Sequence, residues 1–196
     1  GTITKTISLG GGDDKLILSG ITAVNADTAA ISGGAGTDDT LVLISANAAD
    51  TVLSSLPNSI VFNSKVTGFE ILSLVAAGAL TLKDMANNGT VELNKATNAA
   101  DSVVVEVKDA AAGVADVLNV VLNAEDSGEF AGTLTVASVE RINISADDLD
   151  ADEDLDAATT LALVANTAKT VAIEGNADLT LNITSTTVTK VDASAL

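Results

Sequence analysis

The sequence predicts an all-β chain built as a stacked β-solenoid, an irregular parallel β-helix-like architecture, with a β-sandwich as the alternative. Three observations lead there. Segments that alternate apolar with polar or small residues recur about every ten to twenty residues, and Gly, Asn, Asp and Ser fill the gaps. Hydrophobic residues make up 47% of the 196, yet aromatics only 2% (Phe62, Phe69 and Phe130), so the core must be layers of Val, Leu, Ile and Ala. Thin repeated stacks tolerate such small layers better than a globular core that needs bulky anchors. Short phrases also repeat: Val66-Thr67-Gly68-Phe69-Glu70, Val136-Ala137-Ser138-Val139-Glu140 and Val188-Thr189-Lys190-Val191-Asp192 share a valine, an apolar residue three on, then an acid.

The expected strands of the first half are Lys15–Ser19, Thr40–Ile44, Ser59–Phe62, Glu70–Val75, Leu80–Leu82 and Val91–Leu93. Ser102–Val107, Leu118–Leu122, Thr133–Val136, Arg141–Ile144, Thr160–Val164, Val171–Glu174 and Leu179–Thr184 follow. Each is rich in β-branched residues or leucine at period two. Glycine precedes an apolar–Thr–apolar strand at Gly78-Ala79-Leu80-Thr81-Leu82 and Gly132-Thr133-Leu134-Thr135-Val136. Short helical turns are expected at Ala46–Leu56 and Asp109–Val117, and Pro57 sits in a connection. The length suits one β-rich segment, residues 1–196, with a soft division near Asn87–Asn88. No initiator methionine or signal-like segment is present, so the chain reads as a fragment of a longer protein. The longest charge-free stretches, Thr51–Ser64 and Ala157–Ala168, are too short and too polar to span a bilayer, so no transmembrane segment is expected.

Twenty-seven acidic residues against 9 basic ones give a formal charge of −18, with no histidine and no cysteine. Such a surface repels phosphate, which argues against nucleic acid and makes cations the natural partners. Without cysteine there is neither a disulfide nor a thiolate metal site. Histidine, cysteine, tyrosine and tryptophan are all absent, removing the commonest general base and the thiol nucleophile, and no enzyme activity is expected. Glu70 and Glu140 read as outward-facing or turn-bonded carboxylates at strand starts. Threonines on strands, such as Thr81, Thr133, Thr135 and Thr180, reflect β-propensity; no regular Thr-x-Thr ladder suggests ice binding.

The chemistry concentrates in two phrases: Gly11-Gly12-Asp13-Asp14-Lys15-Leu16-Ile17-Leu18 and Gly36-Thr37-Asp38-Asp39-Thr40-Leu41-Val42-Leu43. Each reads as a glycine turn, a pair of carboxylates and an aliphatic strand, and they stand 25 residues apart. Calcium takes six to eight hard oxygens, and glycine turns let backbone carbonyls join side-chain carboxylates. The candidate ligand positions are Gly10, Gly12, Asp13, Asp14, Gly34, Gly36, Asp38 and Asp39; the competing reading is a turn whose aspartates bond their own backbone. The acidic run 147–156 adds Asp148, Asp150 and Asp152, which copy the first three ligand positions of an EF-hand loop. Glu153 replaces the required glycine and Thr159 the final glutamate, so this is no EF-hand, and a solvated acidic loop is the plainer reading.

Gly33-Gly34-Ala35-Gly36-Thr37-Asp38-Asp39-Thr40-Leu41 resembles the RTX nonapeptide Gly-Gly-x-Gly-x-Asp-x-apolar-x with one extra residue, and Gly10-Gly11-Gly12-Asp13-Asp14-Lys15-Leu16 fits it without the first glycine. The phrases 66–74, 138–144 and 189–196 resemble lattice-forming regions of bacterial S-layer proteins, of the RTX-like, type I-secreted kind found in Caulobacter and Campylobacter. That resemblance implies a structural component of a bacterial cell-surface layer: extracellular, stabilised by Ca2+ and self-assembling through lattice or oligomer contacts. Cell-surface polysaccharide would be met through other regions of the full-length protein. Two copies instead of a tandem array imply isolated calcium sites, not a regular calcium roll. The alternative function is a calcium-dependent adhesin module of an RTX-like surface protein; the scarcity of aromatics favours self-association over a foreign ligand.

Overall fold

The computed structural model describes residues 2–18, 23–24, 29–44, 59–62, 65–75, 79–94, 102–124, 130–148 and 159–196. In chain order the strands are β1 (Thr2–Ile3), β2 (Ile7–Gly11), β3 (Lys15–Leu18), β4 (Ala23–Val24), β5 (Ile31–Ala35), β6 (Thr40–Leu43), β7 (Ser59–Val61), β8 (Val66–Thr67), β9 (Ile71–Leu74) and β10 (Leu80–Met85). They continue as β11 (Thr90–Leu93), β12 (Ser102–Val107), β13 (Val117–Ala124), β14 (Ala131–Ala137), β15 (Arg141–Asp148), β16 (Thr159–Ala165), β17 (Thr170–Gly175), β18 (Leu179–Thr184) and β19 (Lys190–Ala195). A 3-10 turn, Ala110–Ala112, lies between β12 and β13.

Two long sheets define the architecture. One runs β3-β6-β9-β11-β13-β15-β17-β19 and the other β7-β10-β12-β14-β16-β18, so from β9 onward the chain alternates between them. Before that point each coil also crosses a three-stranded sheet, β2-β5-β8, and β1 pairs with β4. The ladders are parallel: Leu41 stands against Leu72, Leu72 against Val91, Val91 against Val120. This is the parallel solenoid that the sequence predicts. The sandwich alternative, which would need antiparallel sheets, falls. Both strands flanking Asn87–Asn88 belong to sheets that continue on either side of that point.

Period-two alternation becomes a stack of apolar layers. On the eight-stranded sheet Leu41, Leu72, Val91, Val120, Ile144 and Ile173 form one inward column. On the other sheet Leu80, Val103, Leu134 and Leu163 form a second, and both belong to one core. The last coil is more open: Leu179, Leu181 and Ile183 are only half-buried and Val191 is exposed.

The thirteen expected strands all form. Several run longer than expected, since β10 reaches Met85 and β15 reaches Asp148. Asp147 and Asp148 therefore end a strand instead of opening an acidic loop, because register pairing with Asn123 and Ala124 carries β15 outward. Of the two expected helical turns, 109–117 contains the 3-10 turn, and 46–56 lies outside the described residues. The glycines before the two acidic pairs divide between strand and bend: Gly11 closes β2, whereas Gly12 and Gly36 lie outside the strands, at the bends that carry the aspartates. Gly10 ends up in β2 and Gly34 in β5, directly paired, with φ of 112° and 124°. A Cβ on Gly34 would stand 2.0 Å from the Gly10 carbonyl oxygen, so only glycine lets these two coils stack so closely.

Two of the three copies of the five-residue phrase share one conformation, whereas the third, 188–192, runs straight into β19 with Val191 exposed. Gly68 and Ser138 are both left-handed, with φ of 62° and 61°, and the following Phe69 and Val139 are buried. Glu70 and Glu140 are thereby delivered to the same corner of the coil, just before β9 and β15.

Candidate functional site

That corner is where the carboxylates meet. The bends after β2 and β5 place Asp14 immediately before β3 and Asp39 immediately before β6, one coil apart. The backbone N–H of Asp14 donates to Asp39 Oδ1 at 2.8 Å, and that of Asp39 donates to Glu70 Oε2 at 3.1 Å. Each acid thus caps the N–H of the acid one coil before it. Carbonyls run the other way: Asp14 O accepts from Thr40 N–H at 2.7 Å, and Asp39 O from the N–H groups of Glu70 and Ile71, both at 3.1 Å. Glu70 is turn-bonded, one of the two readings its sequence position allows.

Within each Asp-Asp pair the two residues divide their work. Asp39 is completely buried, whereas Asp13 and Asp38 are exposed. Asp13 Oδ1 accepts from Thr37 N–H at 3.1 Å and Asp38 N–H at 3.3 Å, so it clamps the next coil's bend. Asp38 takes part through its backbone, its carbonyl accepting from Thr40 Oγ1 at 3.4 Å. Beyond these bonds, three oxygens from two coils gather over the open side of Gly36. A Cβ placed there would lie 2.6 Å from Gly12 O, 3.0 Å from Asp39 Oδ2 and 3.1 Å from Asp13 Oδ1. An ion would sit further out than that point, clear of the Gly36 Cα, and the three oxygens mark the side from which it would be held.

Comparison with family models, with curated proteins and with solved structures found no match. The corner is therefore read from its own geometry. Four buried side-chain oxygens have no hydrogen-bond partner among the described residues: Asp14 Oδ2, Asp39 Oδ2, Asp116 Oδ2 and Thr159 Oγ1. A buried carboxylate oxygen without a donor is costly, and a cation removes that cost directly. No three Asp or Glu side chains are placed to share a metal among the described residues, so the donor set over Gly36 is two carboxylates and one carbonyl. It is oxygen-only and suits a hard ion such as Ca2+.

Of the residues singled out in the sequence, Gly12, Asp13, Gly36 and Asp39 come together, with Asp14 bonded beside them. Asp38 points to solvent, and Gly10 and Gly34 serve coil stacking. Asp148 is far along the chain at the end of β15, its N–H donating to Asn176 Oδ1 at 3.1 Å; Asp150 and Asp152 lie outside the described residues. Asp116 escaped notice because it lies inside the stretch expected to be helical. Its signal was the spacing Gly-x-x-Asp, shared by Gly11–Asp14, Gly36–Asp39 and Gly113–Asp116 directly before a strand.

Away from the carboxylates, a ladder of polar side chains bonds within itself. On the outer face of the eight-stranded sheet a groove of about 320 Å3 is lined by Asn119, Arg141, Asn143 and Asp192, among others. Arg141 Nε donates to Asn143 Oδ1 at 2.7 Å, Asn143 Nδ2 to Asn119 Oδ1 at 2.8 Å, and Asn119 Nδ2 to Asn88 O at 2.9 Å. Asp192 accepts from Lys190 Nζ at 2.8 Å and from Ser194, which holds its carboxyl at about 2, below the ordinary 3.8, with the Lys190 bond the largest cause.

Proposed function

We propose that this protein is a structural, calcium-stabilised β-solenoid segment of a bacterial surface layer, working outside the cell and packing against copies of itself. The observation that carries the reading is the gathering of Gly12 O, Asp13 Oδ1 and Asp39 Oδ2 over Gly36, with Asp39 Oδ2 buried and without a donor. An ion seated there ties two successive coils to each other at their acidic corner. Few ligands on a half-exposed edge make a weak site, in the range of about 10⁻⁴–10⁻³ M typical of extracellular calcium modules. Millimolar calcium then supports the fold by mass action, while a calcium-poor cytoplasm leaves the chain less stable before export. The self-packing part of the reading rests on the resemblance of 66–74, 138–144 and 189–196 to lattice-forming regions.

The test is thermal unfolding by circular dichroism in chelator and in calcium, with light scattering on the same samples. At ten times the dissociation constant one site adds about 1.4 kcal/mol, or about 3–5 °C for a chain of this size. Asp39→Asn keeps an oxygen for the Asp14 N–H but removes the charge, and should abolish most of that rise. An unfolding midpoint indifferent to calcium up to several millimolar would refute the calcium mechanism, and calcium-stabilised chains that stay monomeric would favour the adhesin alternative.

A further inference from the structure

Asp116 repeats the construction of Asp39 in a part of the chain that has no Gly-Asp-Asp phrase. It follows the 3-10 turn and directly precedes β13, and it is only 8% exposed. Its N–H donates to Glu140 Oε2 at 2.9 Å, and its carbonyl accepts from the N–H groups of Glu140 at 3.2 Å and Arg141 at 3.1 Å. At Asp39 the same three bonds run to Glu70 and Ile71. In each case the glycine three residues earlier lies under the carboxylate. A Cβ on Gly113 would stand 1.7 Å from Asp116 Oδ2, so the oxygen occupies the space a side chain would need. Above all, Asp116 Oδ2 is buried with no hydrogen-bond donor, as Asp39 Oδ2 is. The ion pairs Lys83–Glu106 and Lys190–Asp192 do not reach this corner.

We infer that the Asp116 corner is a second divalent-cation site, selective for hard, oxygen-preferring ions of the calcium class. A buried carboxylate that is neither paired nor fully hydrogen-bonded pays the desolvation of a charge, and the Lys and Arg side chains that could offset it are few, 9 against 27 acids. The ion supplies the missing positive charge and locks the 109–116 connection onto β13 and β15. The preceding coil offers Asn87, whose Oδ1 accepts from Val117 N–H at 2.8 Å, in place of a second aspartate such as Asp13. The Asp116 site is therefore weaker than the one over Gly36. It shares with the proposed function only the class of ion.

The experiment titrates calcium chloride calorimetrically into the full chain, Asp116→Asn and Asp39→Asn, with circular dichroism confirming sheet content. The wild type should show two classes of site, and Asp116→Asn should lose the weaker one, its affinity falling at least tenfold, while keeping the class that Asp39→Asn removes. An Asp116→Asn isotherm identical to the wild type overturns the inference and leaves the Gly36 site standing. The reverse pattern, Asp39→Asn unchanged and Asp116→Asn deficient, supports this corner and sinks the other. No heat in any sample overturns both. If Asp116→Asn does not fold, wild-type crystals soaked in terbium chloride decide: an anomalous peak within about 3 Å of Asp116 Oδ2 is expected, and a peak at Asp39 with none here overturns the inference.

Discussion

Gly36 is the residue at which the calcium proposal can be tested by filling the space itself. Its φ lies outside the left-handed region, so alanine costs no backbone strain there. The alanine methyl, however, would stand 2.6 Å from Gly12 O and between the Asp13 and Asp39 oxygens, in the space that the ion's ligands surround. Because the Gly12 oxygen belongs to the backbone and must be pushed aside, Gly36→Ala should lower the unfolding midpoint in chelator, and it should also lose most of the calcium-induced rise. Melting curves of both chains with and without calcium check this; a full calcium response in Gly36→Ala would move the ion away from this glycine. The contrast with Gly113 is instructive, because there the carboxylate itself fills the space and alanine would expel it.

At the scale of strands, the solenoid's stability lies in columns and not in single residues. Leu134 of β14 is fully buried between Val103 of β12 and Leu163 of β16, while its neighbour Thr135 faces outward between Val104 and Val164. Leu134→Ala should cost about 2–5 kcal/mol, since coils fixed in register above and below cannot collapse into the cavity. Thr135→Ala should cost under about 1 kcal/mol, and denaturant unfolding of the pair measures the difference. The same logic explains what was legible beforehand. Strands such as β12, whose side chains alternate, announce themselves; β2 and β5 do not, because their Gly and Ser residues are chosen for close backbone approach, which leaves no periodic signal. At the candidate site the acidic pairs were visible as composition. The inward turn of Asp39 and outward turn of Asp38 were not, since the Asp39 carboxylate meets its donor, the Asp14 N–H, 25 residues away. Asp116 was hidden for a similar reason: its partner Glu140 arrives from the next coil.

The whole molecule carries −18 on 196 residues, and parallel coiling stacks part of that charge along one edge. Asp14, Asp39 and Glu70 stand there on consecutive coils, joined by N–H bonds that fix their spacing but do not neutralise them. Two kinds of salt effect should follow, with different signatures. Monovalent salt screens the exposed carboxylates, since the Debye length shrinks to about 8 Å at 0.15 M, but it leaves the buried oxygens of Asp39 and Asp116 without a partner. Calcium supplies that partner. Raising sodium chloride from low to physiological levels should lift the unfolding midpoint modestly and then level off, and a few millimolar calcium added at constant ionic strength should lift it further. Magnesium should do less, because it demands a near-ideal octahedron and gives up its waters reluctantly, whereas the bends offer an irregular set of oxygens from two coils. Scanning calorimetry of the three salts at matched ionic strength separates the cases. If calcium and magnesium coincide with sodium chloride, the acidic edge is only a screened surface, and the buried carboxylate oxygens must find their compensation in ordered water.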